Sequence, residues 1–172
     1  MIRLLLILIL TGYSALLAPA RAQSTAHSQH QESTPTIDGA VHPELIPDSI
    51  AYRLYFLTVS TGPNPSEEDR KRQRLHLNKI GLQDLDREIV VLILKEFRTK
   101  HDSLADQLNQ TSEAALARNQ VPDTSGFLRQ VDELVQLTRD TLKLRLTPQA
   151  MTQFDAFVQS EKKHMRIHGG SQ

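Results

Sequence analysis

The sequence predicts an all-α chain of four to five helices, one of them long, arranged as an elongated bundle or a helical-hairpin cradle. Three observations lead there. Large apolar residues recur at spacings of three and four through most of the chain beyond residue 42, the period of a helix with one buried stripe. Glycine is scarce, and Gly62, Gly81 and Gly126 stand at apparent element ends, unlike the even spacing of a turn-rich β chain. Residues 82–121 contain neither glycine nor proline, so one helix can run through most of that stretch.

The elements follow in order. Pro47 suits a first helical turn, and Asp48 and Ser49 behind it are favoured near a helix N-terminus. This first helix runs to about Ser60 and is apolar nearly all round, through Ile50, Ala51, Tyr52, Leu54, Tyr55, Phe56, Leu57 and Val59. Such a helix belongs in the middle of a bundle or in a seam between two copies. Gly62-Pro63-Asn64 ends it. A second helix starts with Asn64 as cap, Pro65 at its first position and Glu67 at capping-box spacing. It begins acidic, turns basic at Arg70, Lys71, Arg72 and Arg74, and stops at Gly81.

The third helix carries Leu85, Ile89, Leu92, Ile93, Phe97, Leu104 and Leu108 at helical spacing. Residues 89–94 (IVVLIL) have the content of a buried strand, but no breaker flanks them and the helix period continues through. Some 35 residues at 1.5 Å each give a helix about 50 Å long. Pro122 and Gly126 mark the next turn. A fourth helix carries Phe127, Leu128, Val131, Leu134, Val135, Thr138 and Leu142. The fifth opens on Thr147 as cap with Pro148 behind it and buries Ala150, Met151, Phe154, Phe157, Val158 and Met165. Lys162, Lys163 and Arg166 suit its C-terminal dipole.

The start of the chain reads as a secretory leader over residues 1–22. Arg3 supplies a basic start, residues 4–10 (LLLILIL) an unbroken apolar run, and Ala20-Arg21-Ala22 a small-x-small cleavage pattern. The alternative is an uncleaved anchor, but residues 4–20 are short for a span and hold Gly12, Ser14 and Pro19. The expectation is therefore export to the periplasm or the exterior, with no stable membrane anchor after cleavage. Residues 23–41 are polar and rich in Ser, Thr and Gln, too poor in apolar groups to offset their ordering entropy, and read as a disordered tail. A single helical domain over 42–168 and a flexible end at 169–172 complete the layout.

Composition excludes several functions. With no cysteine in the chain, thiol catalysis, disulfides and thiolate metal sites are impossible. The chain balances 20 basic against 20 acidic residues, and removing Arg3 and Arg21 with the leader tips it slightly acidic. A dedicated nucleic-acid binder shows the opposite bias. Tryptophan is absent and aromatics are few. No phosphate loop, dinucleotide fingerprint, H-E-x-x-H or G-x-S-x-G is present, so the expectation is a non-enzyme with no catalytic residues and no cofactor. Glu161-Lys162-Lys163-His164 is a lone Glu-x-x-His step, where a di-iron bundle needs two. Glu96 and His101, five apart, point in different directions on a regular helix.

Histidines pair twice, His27 with His30 in the tail and His164 with His168 at i,i+4 on the expected last helix. Two imidazoles on one helix face can chelate a divalent ion, though a structural zinc wants four ligands. A histidine-based metal buffer or sensor at His164 and His168 is the minor alternative to exposed surface histidines.

Leu146-Thr147-Pro148-Gln149-Ala150 resembles the LTxxQ motif of the periplasmic Spy/CpxP-like family, with Gln149 one position early. Leu82-Gln83-Asp84-Leu85 stands where the family's other copy falls, keeping the leucine but with Gln83 in place of threonine. The resemblance covers about residues 65–160. It implies a curved helical homodimer that acts on unfolded client proteins or as an envelope stress adaptor, without ATP. Tyr52, Tyr55, Phe56 and Leu57 would then line a client-facing surface, with Arg70, Lys71, Arg72 and Arg74 attracting acidic clients. The competing expectations are a buried first helix, a solvated basic face, and a structural or protein-interaction module with some other partner.

Overall fold

The computed structural model describes residues 36–168. The leader, His27 and His30, most of the polar tail and residues 169–172 lie outside the described residues. The architecture is all-α, as the periodicity requires. In order run a short strand β1 (Thr36–Asp38), helices α1 (Asp48–Val59), α2 (Glu67–Ile80), α3 (Asp84–Leu116), α4 (Ser125–Arg145) and α5 (Pro148–Glu161), and a strand β2 (Arg166–His168). The apolar run at 89–94 is helical, inside α3.

Helix α1 is the axis of the packing. It touches each of the other four helices. Ala51, Tyr52, Tyr55, Phe56 and Val59 are buried. The ring of Phe56 meets Tyr52 at 5.7 Å, Phe97 of α3 at 5.1 Å and Phe154 of α5 at 6.3 Å. Tyr55 meets Phe154 at 5.6 Å and Phe157 at 5.5 Å. Edge-on and tilted pairs of this kind are worth roughly 0.5–1.5 kcal/mol each beyond the area they bury. Tyr52, Tyr55 and Phe56 are therefore core residues and line no client surface, while Leu54 and Thr58 keep one side of the helix exposed. Leu57 is half-buried against the same core.

Local chemistry sets the helix ends. Ser66, not Asn64, caps α2: its hydroxyl accepts from the Asp69 amide at 3.1 Å, while the Asp69 carboxylate accepts from the Ser66 amide at 3.2 Å. Serine followed three residues later by an acid is the reciprocal box, and it outcompetes the Asn64–Glu67 pairing two residues upstream. Gly81 ends α2 in the left-handed region at φ 80°, which a side chain would disfavour. Gln73, buried on α2, donates to the Val59 carbonyl at 3.0 Å and so satisfies the C-terminus of α1.

Both ends of the described chain depart from expectation. Strand β1 pairs antiparallel with β2, Ile37 opposite Ile167, and Asp38 forms an ion pair with Arg166 at 3.2 Å. The Gly39 amide donates to the Met165 carbonyl at 2.9 Å. A Cβ on Gly39 would lie 1.9 Å from the Lys162 carbonyl oxygen, so only glycine permits this approach. Residues 36–41 thus belong to the fold rather than to a disordered tail, because Ile37 and Ile167 both pack on the core. Helix α5 stops at Glu161, followed by a 3-10 turn over Lys162–His164 and then the strand. His164 and His168 consequently do not share a helix face, and the i,i+4 chelate falls away. Among the described residues, no group of three or more His, Asp or Glu is placed to hold a metal ion.

Candidate protein-interaction surface

The two segments compared with the LTxxQ motif occupy equivalent corners. Leu82 precedes the cap of α3 and Leu146 precedes the cap of α5, and both leucines are buried. Thr147 caps α5, its hydroxyl accepting from the Ala150 amide at 3.2 Å. The corners are tied by Asp86, in the first turn of α3 and itself buried. Its carboxylate accepts from the Thr147 amide at 3.1 Å and from the Thr147 hydroxyl at 3.1 Å. One carboxylate therefore aligns the starts of two helices. Gln149 is exposed and has no part in this junction.

A second polar cluster braces α1 against α4 and α5. Asp48 accepts from Lys162 Nζ at 2.6 Å and Gln159 Nε2 at 3.0 Å, and Arg139 Nη1 lies 3.8 Å away. The hydrogen bond from Lys162, then that from Gln159, holds the Asp48 carboxyl below its usual range. The Arg139 guanidinium sits over the Tyr52 ring at 4.5 Å, and the Tyr52 hydroxyl donates to Asp155. These groups satisfy one another across the core boundary. The lone Glu-x-x-His step is likewise dispersed, since Lys162 turns inward to Asp48 while His164 is exposed.

The basic run is a helix face in water. Arg72 pairs with Asp69 at 2.5 Å, Arg74 with Glu67 at 3.1 Å, and Arg70 donates to the Pro65 carbonyl at 3.0 Å. Lys71 is exposed beside them. These cations mostly serve their own helix and its cap, and the structure does not join them to the buried aromatics of α1. Glu96 and His101 are also separate. Glu96 pairs with Lys100 at 2.7 Å, and the His101 ring lies between Phe97 and Phe127 at 5.8 and 6.4 Å.

What the sequence reading missed is an apolar face on the outside of the α3–α4 hairpin. Leu85 is 71% exposed, Leu92 66%, Leu137 56% and Leu144 84%. In each helix the two leucines are seven residues apart, the spacing that keeps side chains on one face. Ile89 and Ile93 continue the α3 stripe and are only partly buried. The stripes flank a groove of about 280 Å³ lined by Ile93, Phe97, Leu134 and Leu137 together with Thr138, Thr141 and the Glu96–Lys100 ion pair. This side looks away from α1, because Arg139, on the opposite side of α4 from Leu137, is the residue over Tyr52. The signal was present in the sequence as leucines lying one or more positions off the core register set by Val90, Leu94 and Phe97.

Among the described residues, no helix is long and apolar enough to cross a membrane. No family model matches the chain, and no curated protein or solved structure is significantly similar to it.

Proposed function

We propose that this chain is an exported, non-enzymatic helical protein that works by associating with other protein chains through the outer face of α3–α4. The observation that carries the reading is the row of solvent-facing leucines, Leu85 and Leu92 beside Leu137 and Leu144. Single exposed leucines need no explanation, whereas several gathered on one side of a hairpin support an interaction site. Export is supported by the apolar run at residues 4–10 ahead of Ala20-Arg21-Ala22.

Two kinds of occupant suit such a face. The regular seven-residue spacing favours a helical partner with matching ridges. The paired corners at Leu82 and Leu146, which resemble the LTxxQ arrangement, favour the envelope-chaperone or stress-adaptor reading, in which the occupant is an unfolded client held without ATP. The aromatic side chains of α1 are no longer available for that task, and the leucine face is the candidate that remains on the α3–α4 hairpin. The test is suppression of aggregation of a heat-denatured client, without nucleotide, by the wild type and by Leu92→Glu with Leu137→Glu. Client holding through this face requires suppression at a few-fold excess of wild type and its loss in the double variant. Equal suppression by both would move client binding elsewhere.

A further inference from the structure

We infer that the outer face of α2 docks on a membrane surface carrying anionic, phosphate-bearing lipids, held reversibly by charge rather than by a spanning segment. The inference is separate from the leucine face of α3–α4 and uses none of its residues.

Charge is the first support. Residues 70–80 hold five bases, Arg70, Lys71, Arg72, Arg74 and Lys79, and no acid, in a chain that balances 20 bases against 20 acids. A basic block on one amphipathic helix is the pattern that anionic lipid attracts. The acids of α2 all lie in its first turn, where Asp69 serves the cap. Lys71 and Lys79 are exposed and enter no ion pair among the described residues. The pairs that Arg72 and Arg74 make with Asp69 and Glu67 are exposed ones, which hold their partners weakly.

Placement is the second. Gln73, Leu77 and Ile80 form the buried side of α2. Lys71, Leu75 and Lys79, each one turn from the next, stand on the opposite side. Glu68, Arg72 and His76 make the adjacent row, and the six together line a groove of about 430 Å³. Leu75 is 55% exposed between the two lysines. That is the order of a helix lying in an interface, with cations at the headgroups and an apolar group beneath them.

The third is the shape of the groove. Every residue lining it belongs to α2, so no second wall encloses a small anion. An extended anionic surface can meet the whole row, whereas a free phosphate would stay in water. No aromatic ring stands among these residues for a nucleic-acid base to stack on. The field at the face agrees. Burial, then the nearby Lys79 charge, lowers the His76 pKa, and Lys79 with Arg72 outweighs the opposing Glu161 of α5.

Vesicle sedimentation tests the inference, with protein from Gln23 onward, which contains every described residue. The vesicles are phosphatidylglycerol and phosphatidylcholine in equal parts, or phosphatidylcholine alone. Partitioning onto the anionic vesicles should exceed that onto the neutral ones at least about tenfold at about 0.05 M salt, and be lost at about 1 M. Lys71→Gln with Lys79→Gln should cut it at least about tenfold, with unchanged helical circular dichroism. Lys95→Gln with Lys143→Gln, the same loss of charge on α3 and α4, should change it by less than about threefold. Binding to neither vesicle, equal binding to both, or equal losses in the two double variants overturns the inference. Release from the vesicles by about 10 mM inorganic phosphate at constant ionic strength would also overturn it, making the face a discrete anion site. Retention on immobilised poly-glutamate without binding to vesicles would assign the face to an acidic polypeptide instead.

Discussion

Asp86 and Thr147 lie 61 residues apart in sequence yet share two hydrogen bonds at one buried carboxylate. Each half of this junction has a local cause. Thr147 is a cap with Pro148 behind it, and Asp86 is an acid in a first helical turn, where the dipole favours it. The cap was legible in the sequence for that reason. The brace between the two was not, because nothing local says which backbone amide a buried acid will meet. Removing the carboxylate leaves the Thr147 amide without its acceptor and opens a small void. Asp86→Ala should therefore destabilise the fold by about 2–4 kcal/mol, as charge-assisted bonds at a buried site do. Asp86→Asn, which keeps one acceptor oxygen, should lose about half as much. Urea unfolding of the three proteins measures this, and a cost below about 0.5 kcal/mol for Asp86→Ala would remove the brace from the account.

At the level of elements, the five helices were legible because each carries its apolar period between flanking breakers, and α2 and α5 add capping residues at their starts. The β1–β2 clasp was not. Three residues per strand show no alternation worth reading, and the pairing joins the two ends of the described chain through Gly39 and Lys162, a contact that exists only after the helices have packed. The same distinction between local and long-range support divides α3. Its first half buries Val90, Leu94 and Phe97, but no residue from Arg98 through Gln130 is buried. The far half of α3 and the start of α4 thus support only each other, across a groove of about 470 Å³ lined by Gln107, Thr111, Gln120 and Phe127 among others. Backbone hydrogen bonds with so little burial around them open without global unfolding. Native-state hydrogen exchange should show amides of 104–128 exchanging at least about tenfold faster than those of 90–97 and 131–142. Uniform protection along α3 would mean that the arm is held by more than its contacts with α4.

The molecule as a whole relies on one aromatic core, and two members of that core are tyrosines. Burial pushes the Tyr52 hydroxyl up, helped by its hydrogen bond to Asp155. Burial pushes Tyr55 up as well, with Glu161 adding to it. In the unfolded chain both titrate near 10. Above that pH the unfolded chain has released protons that the folded chain still holds, so the equilibrium shifts toward unfolding as pH rises. The stabilisation is complete below pH 10 and declines until the folded groups themselves ionise. Each tyrosine contributes a slope of about 1.4 kcal/mol per pH unit in that window, about 2.7 for both. Against a total of about 5–15 kcal/mol, this predicts a steep loss of stability above pH 10. The two residues are separable. The Tyr55 hydroxyl is buried with no hydrogen-bond partner, so Tyr55→Phe should change stability at pH 7 by less than about 1 kcal/mol while halving the alkaline slope. Tyr52→Phe should halve the slope too, but at a cost of about 1 kcal/mol at pH 7, since Asp155 loses its donor. Urea midpoints between pH 7 and 11.5 for the wild type and both variants decide the matter. A Tyr55→Phe protein whose alkaline slope equals that of the wild type would mean that the core admits hydroxide or water to this ring, and that α1 is less enclosed than its contacts require.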